Sequence, residues 1–491
     1  MREWTGWIYP LCSRSNLFPL AGVQKKERFG RCVAGHLHGD WLVIGHSVFN
    51  CVHLVLCCFR LLPSRDFGGL ILKIKQVIPR DFSVVTMFNM AARALQLVVT
   101  VALVRILSVE DYASYTVFFT TSSTILGIAG QSIALAYVRY NTERMTKDRA
   151  YRDSLIFISH AINVACLVLL LVGSYPMAEA MGVAHPVMLA AIVYGFLLGT
   201  VQLNIAFFQS RELYAKSGVV ENAKQLTLLA CIALAVVLAA GSLESILASY
   251  CFSGLACFVI SLTMIGKLVR HGDAAIAVDF KAGREFLAVS AWLILYSVAT
   301  QLYNQANITM LASFGSTQAV AEFGVASKYF NMVLLFLPSI KTVLRVRMSK
   351  AEMTESTEKQ REFAIKWFKK TTVPFVALVA ICCVGAQLVF PVLNGDGYDA
   401  SIPMFQILCI NAFSAYVFAP ASALIMSLNR YGLQFAIALI SLAINLVGNY
   451  LLIPLYGGIG TSIATTISQI ALNVMMTVVV FRVGAKSIKL G

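Results

Sequence analysis

Charge is scarce in this chain. Asp, Glu, Lys and Arg supply 13% of its 491 residues, against about 25% in an average soluble protein, too few to clothe a water-soluble globule of this length. Acidic residues are scarcer still, 24 against 39 Lys and Arg, for a formal charge of +15. Such an excess marks nucleic-acid binding when the basic residues share one exposed face. Here they fall into alternate loops, and no nucleic-acid partner is expected. No GxxxxGK[ST] stretch occurs, so ATP bound at a phosphate loop is not the energy source within the chain. Cys and His cluster before residue 60 without a CxxC or HxxxH pair. Lacking ligand spacing, that cluster does not read as a metal site, and no cofactor is expected. The later cysteines lie in apolar runs and read as small hydrophobes rather than disulfide halves. The links on the cation-poor side are short and hold no His, Ser or carboxylate constellation for transfer chemistry, which points away from an enzyme.

What the chain has in quantity is apolar sequence: 58% hydrophobic residues and a mean hydropathy of +0.75. The expected fold class is all-α, a polytopic membrane protein. Its organising stretch is Ser83 to Tyr140, two apolar runs joined by a short acidic link. Each run exceeds the ~20 residues that cross a bilayer core, so the stretch reads as a transmembrane hairpin. Twelve spans follow from the whole pattern: 83–107, 114–137, 153–174, 186–209, 217–240, 243–266, 286–313, 318–344, 372–392, 402–427, 431–454 and 458–481.

Lys and Arg gather after the even-numbered spans, at Arg139 to Arg152, Arg211 and Lys216, Lys267 to Arg284, Arg345 to Lys370, and Arg430. The odd-numbered links carry none apart from Arg105 at the edge of the first span, where it is expected to pair with Glu110 or Asp111. The positive-inside rule puts both ends of the twelve-span unit in the cytoplasm. The cationic stretch Arg345 to Lys370 reads as an amphipathic helix, solvated and hugging lipid.

Three pairs of segments repeat at an offset of roughly 208 to 219 residues, which suggests parallel six-span halves. LSVEDYASYTV matches STQAVAEFGVA, QSRELYAKS matches SLNRYGLQF, and GSLESILAS matches GGIGTSIAT. The expected organisation is an N-terminal extension over 1–75, a first lobe over 76–270 and a second over 271–491. The extension holds three of the five tryptophans and four of the seven histidines, and no methionine occurs between Met1 and Met87. The expectation is a natural start at a non-AUG codon near residues 65–80.

Polar groups at membrane depth mark the candidate substrate cavity. Arg93 lies about ten residues into the first span, where a cation costs roughly 2.5–3.5 kcal/mol on insertion scales. Lys328 lies as deep in the eighth. Ser290, Ser297, Gln301, Asn304 and Asn307 form a polar stripe on the seventh, and such a stripe either bonds helices together or lines a cavity. Weaker candidates are Lys224 and Glu221, which read as a local pair or a snorkelling lysine, and Glu322 near a span end. Lys341 reads as a surface anchor. The deep charges are cations, which suits an anionic headgroup such as a phosphorylated or pyrophosphorylated lipid. A proton- or sodium-driven exporter of cations is expected to bury an Asp or Glu.

Several motifs resemble a known family. VRILSVEDYASY resembles the A-R-L-L-G-P-E-D-Y-G link of polysaccharide biosynthesis proteins, the oligosaccharide flippases of the multidrug/oligosaccharidyl-lipid/polysaccharide exporter superfamily. VAEFGVASKYFNMVLLFLPSIKTVLRVRMSK and NLVGNYLLIPLYGGIGTSIATTISQ are similar to further family segments. In the latter, Pro454, Gly457, Gly458 and Gly460 make a tight outer turn. Ser108 and Ala113 stand where the family link has glycines, and Gln305, Ala306 and Asn307 replace a family D-R, so no role of those family charges carries over.

The resemblance implies two six-helix lobes around a central cavity and alternating access. It implies movement of an undecaprenyl-pyrophosphate-linked oligosaccharide from the cytoplasmic to the outer leaflet of a bacterial inner membrane, for cell-surface polysaccharides such as O-antigen, lipopolysaccharide or exopolysaccharide. Coupling to H+ or Na+ is implied by the same likeness. The alternatives are a cation-coupled multidrug antiporter of the same architecture, and a membrane glycosyl polymerase or ligase, disfavoured by the short outer links.

Overall fold

The computed structural model describes residues 96, 98–144, 149–239, 241–270, 280–334, 337, 340, 341, 344, 357–395, 397–427 and 430–483. The expected extension over 1–75 and Arg93 lie outside these residues. Among the described residues every regular element is helical. In order, these are α1 (98–106), α2 (Val109–Ile125), a π-helical segment (Leu126–Gln131), α3 (Ser132–Arg144), α4 (Arg149–Val172), α5 (Ser174–Ala180), α6 (His185–Ser210), α7 (Tyr214–Ala239) and α8 (Leu243–Arg270). There follow α9 (Phe280–Phe314), α10 (Thr317–Val333), α11 (Thr357–Asn394), α12 (Ser401–Val417), α13 (Ala419–Ser427) and α14 (Tyr431–Val483).

Eight described helices are long and apolar enough to cross a membrane, and nine if the bent pair α12 and α13 is one span. The count of twelve is therefore not reached by this measure, and the reasons are local. The first predicted span is described only from Gln96. The helix of the eighth ends at Val333, too short to qualify alone. The eleventh and twelfth merge into α14, whose 53 residues would extend about 80 Å against a bilayer core of about 30 Å. Gly457 divides α14, with φ 54° and ψ −128°, a conformation open to glycine and not to residues with a Cβ. The two arms then fold back on each other: Asn445 donates to Ser468 across 3.2 Å, and a Cβ on Gly448 would stand 3.0 Å from that of Ala464. The turn expected at Gly457 is thus present.

Helix starts follow from the sequence chemistry. Ser108 is extended and its Oγ accepts the amide of Asp111 at 3.1 Å, while Glu110 and Asp111 place negative charge against the positive end of α2. Ser316 caps α10 in the same way, accepting from the Ala319 amide at 3.2 Å. The two caps stand at the offset of the repeat. The serine that departs from the family's glycine is therefore a capping residue.

The cationic stretch is described from Thr357 onward, where it is helical as expected. Its helix is continuous with the ninth span, α11 running unbroken from Thr357. Glu362 and Lys366 pair along its exposed face at 2.5 Å. Another face packs on protein: the Trp367 indole donates to the Tyr416 carbonyl at 3.4 Å, and one turn beyond the stretch Phe375 stacks on Tyr416 with centroids 4.5 Å apart.

Candidate functional site

A cavity of about 520 Å³ lies against α9, α10, α12 and α14, with Thr116, Phe119 and Thr120 of α2 as the described contribution of the first half. At one end it runs past Leu337, Lys341 and Met476. Beyond Thr116 at the other lies aromatic packing that is not part of the lining. Tyr112 meets Tyr398 edge-on at 5.9 Å, the Tyr115 and Tyr250 hydroxyls bond at 2.8 Å, and Tyr329 donates to Asn394 Oδ1 at 2.8 Å while packing on Phe390.

Lys328 projects into this cavity from α10. Its Nζ lies 3.1 Å from the Phe119 ring centroid and 5.9 Å from that of Tyr115, so ring faces stabilise the ammonium in place of a carboxylate. Among the described residues it forms no ion pair. Lys341, read from the sequence as a surface anchor, also lines the cavity. Among the described lining residues there are two lysines and no Asp or Glu.

The stripe on α9 divides between two places. Asn304 and Asn307 line the main cavity. Asn307 also accepts from Asn449 Nδ2 at 3.0 Å, which donates in turn to Asn445 Oδ1 at 3.1 Å, so it binds helices together as well as lining the cavity. Ser297 and Gln301 instead face a second pocket of about 310 Å³, formed with α3 and α6. There Ser297 bonds the Ser132 hydroxyl at 2.9 Å and Gln301 donates to Gln131 Oε1 at 3.2 Å. Tyr296 and Thr300 line both hollows, which makes α9 their common wall.

Lys224, Glu221 and Glu322 are brought to neither. Lys224 and Glu221 share one face of α7 and form no ion pair with each other within 4 Å. Glu322 accepts from Gln318 at 2.8 Å, and Gln318 reaches the Gly397 carbonyl at 2.8 Å, at the aromatic end. Arg105 is corrected outright. Its guanidinium donates to the Leu393 carbonyl at 2.7 Å and to the Val392 carbonyl at the end of α11, because the last carbonyls of a helix lack internal partners and form its negative pole. Asp111 is meanwhile taken up by Ser108.

Sequence reading missed Asn331, Asn411 and Asn473 in the main cavity and Gln131, Gln202 and Gln209 in the second. Asn331, Asn411, Asn473 and Gln131 are single amides in apolar runs, whereas Gln202 stands near Asn204 and Gln209 opens the polar link QSRE. The one available signal was spacing: Gln202 and Gln209 stand at i and i+7 on one helical face.

The fold is that of a polytopic α-helical membrane protein. The model of the family "Polysaccharide biosynthesis protein" matches residues 78–351, more than half of the chain, and the chain belongs to that family. Among solved structures it is similar to the lipid II flippase MurJ in an inward closed conformation, with TM-score 0.64 and 13% identity over 80% of this chain and 87% of that one. An inward-facing multidrug resistance MATE family transporter of the MOP superfamily aligns with TM-score 0.59 and 13% identity, over 82% and 94% of the two chains. A MOP superfamily transporter from Pyrococcus furiosus aligns with TM-score 0.54 and 14% identity, over 83% and 94%. At such identities the likeness is one of fold. Comparison with curated proteins finds no sequence match.

Proposed function

We propose that the protein is a flippase that carries a polyprenyl-pyrophosphate-linked oligosaccharide across the membrane for cell-surface polysaccharide synthesis. The observation that carries this reading is Lys328, a cation held by ring faces inside a cavity whose described lining has no carboxylate. An ammonium without an acidic partner is available to phosphate oxygens, and a charge-assisted bond there is stronger than a neutral one. Lys341 supplies a second cation toward the other end of the cavity. Arg93, from its depth in the first span, joins them in this scheme. The headgroup would occupy the hollow while the prenyl tail stays in lipid.

With the loops oriented by their cations, the aromatic end faces outward and the end at Leu337 and Lys341 faces the cytoplasm. Loading from the cytoplasmic leaflet and release outside then require the seal at Tyr112, Tyr398 and Asn394 to open in exchange for closure at the inner end. Differential affinity of the two forms for the loaded lipid, balanced by an ion gradient of H+ or Na+, would drive that exchange. The antiporter alternative draws no support from the cavity, since it calls for an acid where Lys328 stands.

The test is polysaccharide display in cells that depend on this protein. Lys328→Ala and Arg93→Gln are each expected to abolish display while the protein remains in the membrane at normal abundance. Undiminished display by both single variants and by the double variant would remove the cations from the mechanism and the flippase reading with them.

A further inference from the structure

The second pocket has a different chemistry from the first. Four glutamines face it, Gln131, Gln202, Gln209 and Gln301, together with Ser297 and Thr300, and no charged residue is among its described lining. Gln202 and Gln209 are half-buried, and their side chains have no hydrogen-bond partner among the described residues, which leaves both amides open to whatever fills the pocket. They stand with Ala206 at i, i+4 and i+7 along α6 and so share the face turned to this hollow.

The backbone beside the hollow packs closely through two glycines. The π-helical segment ends at Gln131, and such one-turn widenings recur at functional sites. Gly127 within it makes room for Gln301, since a Cβ there would lie 2.6 Å from Gln301 Cγ. Gly130 lets the same segment close on α6, a Cβ there falling 2.5 Å from the Gly199 Cα.

We infer that this glutamine pocket is the glycan subsite, binding neutral sugar hydroxyls of the substrate whose diphosphate is held at Lys328. Each amide offers a donor and an acceptor side by side, a match to neighbouring hydroxyls that each give and take one bond. Absence of charge suits a neutral sugar and is of no use to a phosphate. Tyr296 and Thr300 line both hollows, so the cationic cavity and the amide pocket lie side by side along α9. The inference rests on the flippase reading and adds to it the place where the carried glycan is recognised.

The test uses the full-length protein in lipid nanodiscs with two probes: undecaprenyl pyrophosphate, which has no sugar, and the lipid-linked oligosaccharide extracted from membranes of the producing cell. The wild type is expected to bind the sugar-bearing lipid at least about tenfold more tightly, the yield of one or two net neutral hydrogen bonds. Gln202→Leu with Gln209→Leu should erase that preference and leave affinity for the sugar-free lipid unchanged, whereas Lys328→Ala should weaken both probes alike. Retention of the preference by the glutamine variant, or equal loss of both probes, would overturn the subsite. Equal binding of the two probes by the wild type would overturn it while leaving the flippase reading intact. Binding of neither probe would overturn both. Should the leucine pair fail to fold, Gln202→Ala alone is scored by the same criterion.

Discussion

Lys328 shows what a single residue gains from its neighbours. In sequence it is a lysine too deep to snorkel; in the fold it rests on the Phe119 and Tyr115 rings beside a cavity. Phe119→Leu keeps apolar bulk and removes the ring, and a cation–π contact of this type is worth about 0.5–2 kcal/mol. The expected outcome is severalfold weaker binding of undecaprenyl pyrophosphate with an unchanged melting temperature. Phe119→Tyr should restore it. Lys328 was legible because charge is rare in an apolar run. The amides of the second pocket were not, since a lone glutamine reads the same whether it faces a neighbouring helix or a ligand.

At the scale of elements, glycine marks where α14 turns, and that turn is directly testable. Gly457→Ala forces a Cβ into a backbone conformation reserved for glycine, at a cost of about 1–3 kcal/mol. It should lower the thermal midpoint of the detergent-solubilised protein, while Gly385→Ala, where a Cβ meets nothing within 4 Å, should leave it unchanged. Gly130→Ala should also destabilise, because the atom it meets is Gly199 backbone, which has no rotamer to yield. Span positions were legible from hydropathy. Continuity between elements was not: α11 runs through a change from polar to apolar sequence that read as a boundary, and the π-helical widening has no pattern of its own in LGIAGQ.

At the scale of the molecule, the aromatic end joins first-half α1 and α2 to second-half residues 392–398. Arg105 holds the end of α11 through two carbonyls, and Gln318 reaches Gly397 from α10. Arg105→Ala leaves those carbonyls without their donor and should loosen this end. In cells, a cysteine at Asn394 should then react severalfold faster with an impermeant maleimide than the same cysteine beside an intact Arg105. An unchanged rate would mean that the aromatic packing alone holds the closure.

Composition and hydrophobic spacing by themselves determined that this is an all-helical membrane protein with most of its crossings where hydropathy put them. Both follow from transfer of side chains and backbone out of water, a property local to each run. Tertiary structure alone decided which polar residues share a hollow. It divided one stripe on α9 between a cationic cavity and a neutral one, and it drew Arg105 to the pole of a helix nearly three hundred residues away. Those outcomes depend on which helix faces meet, and a sequence specifies that only through the packing of the whole bundle.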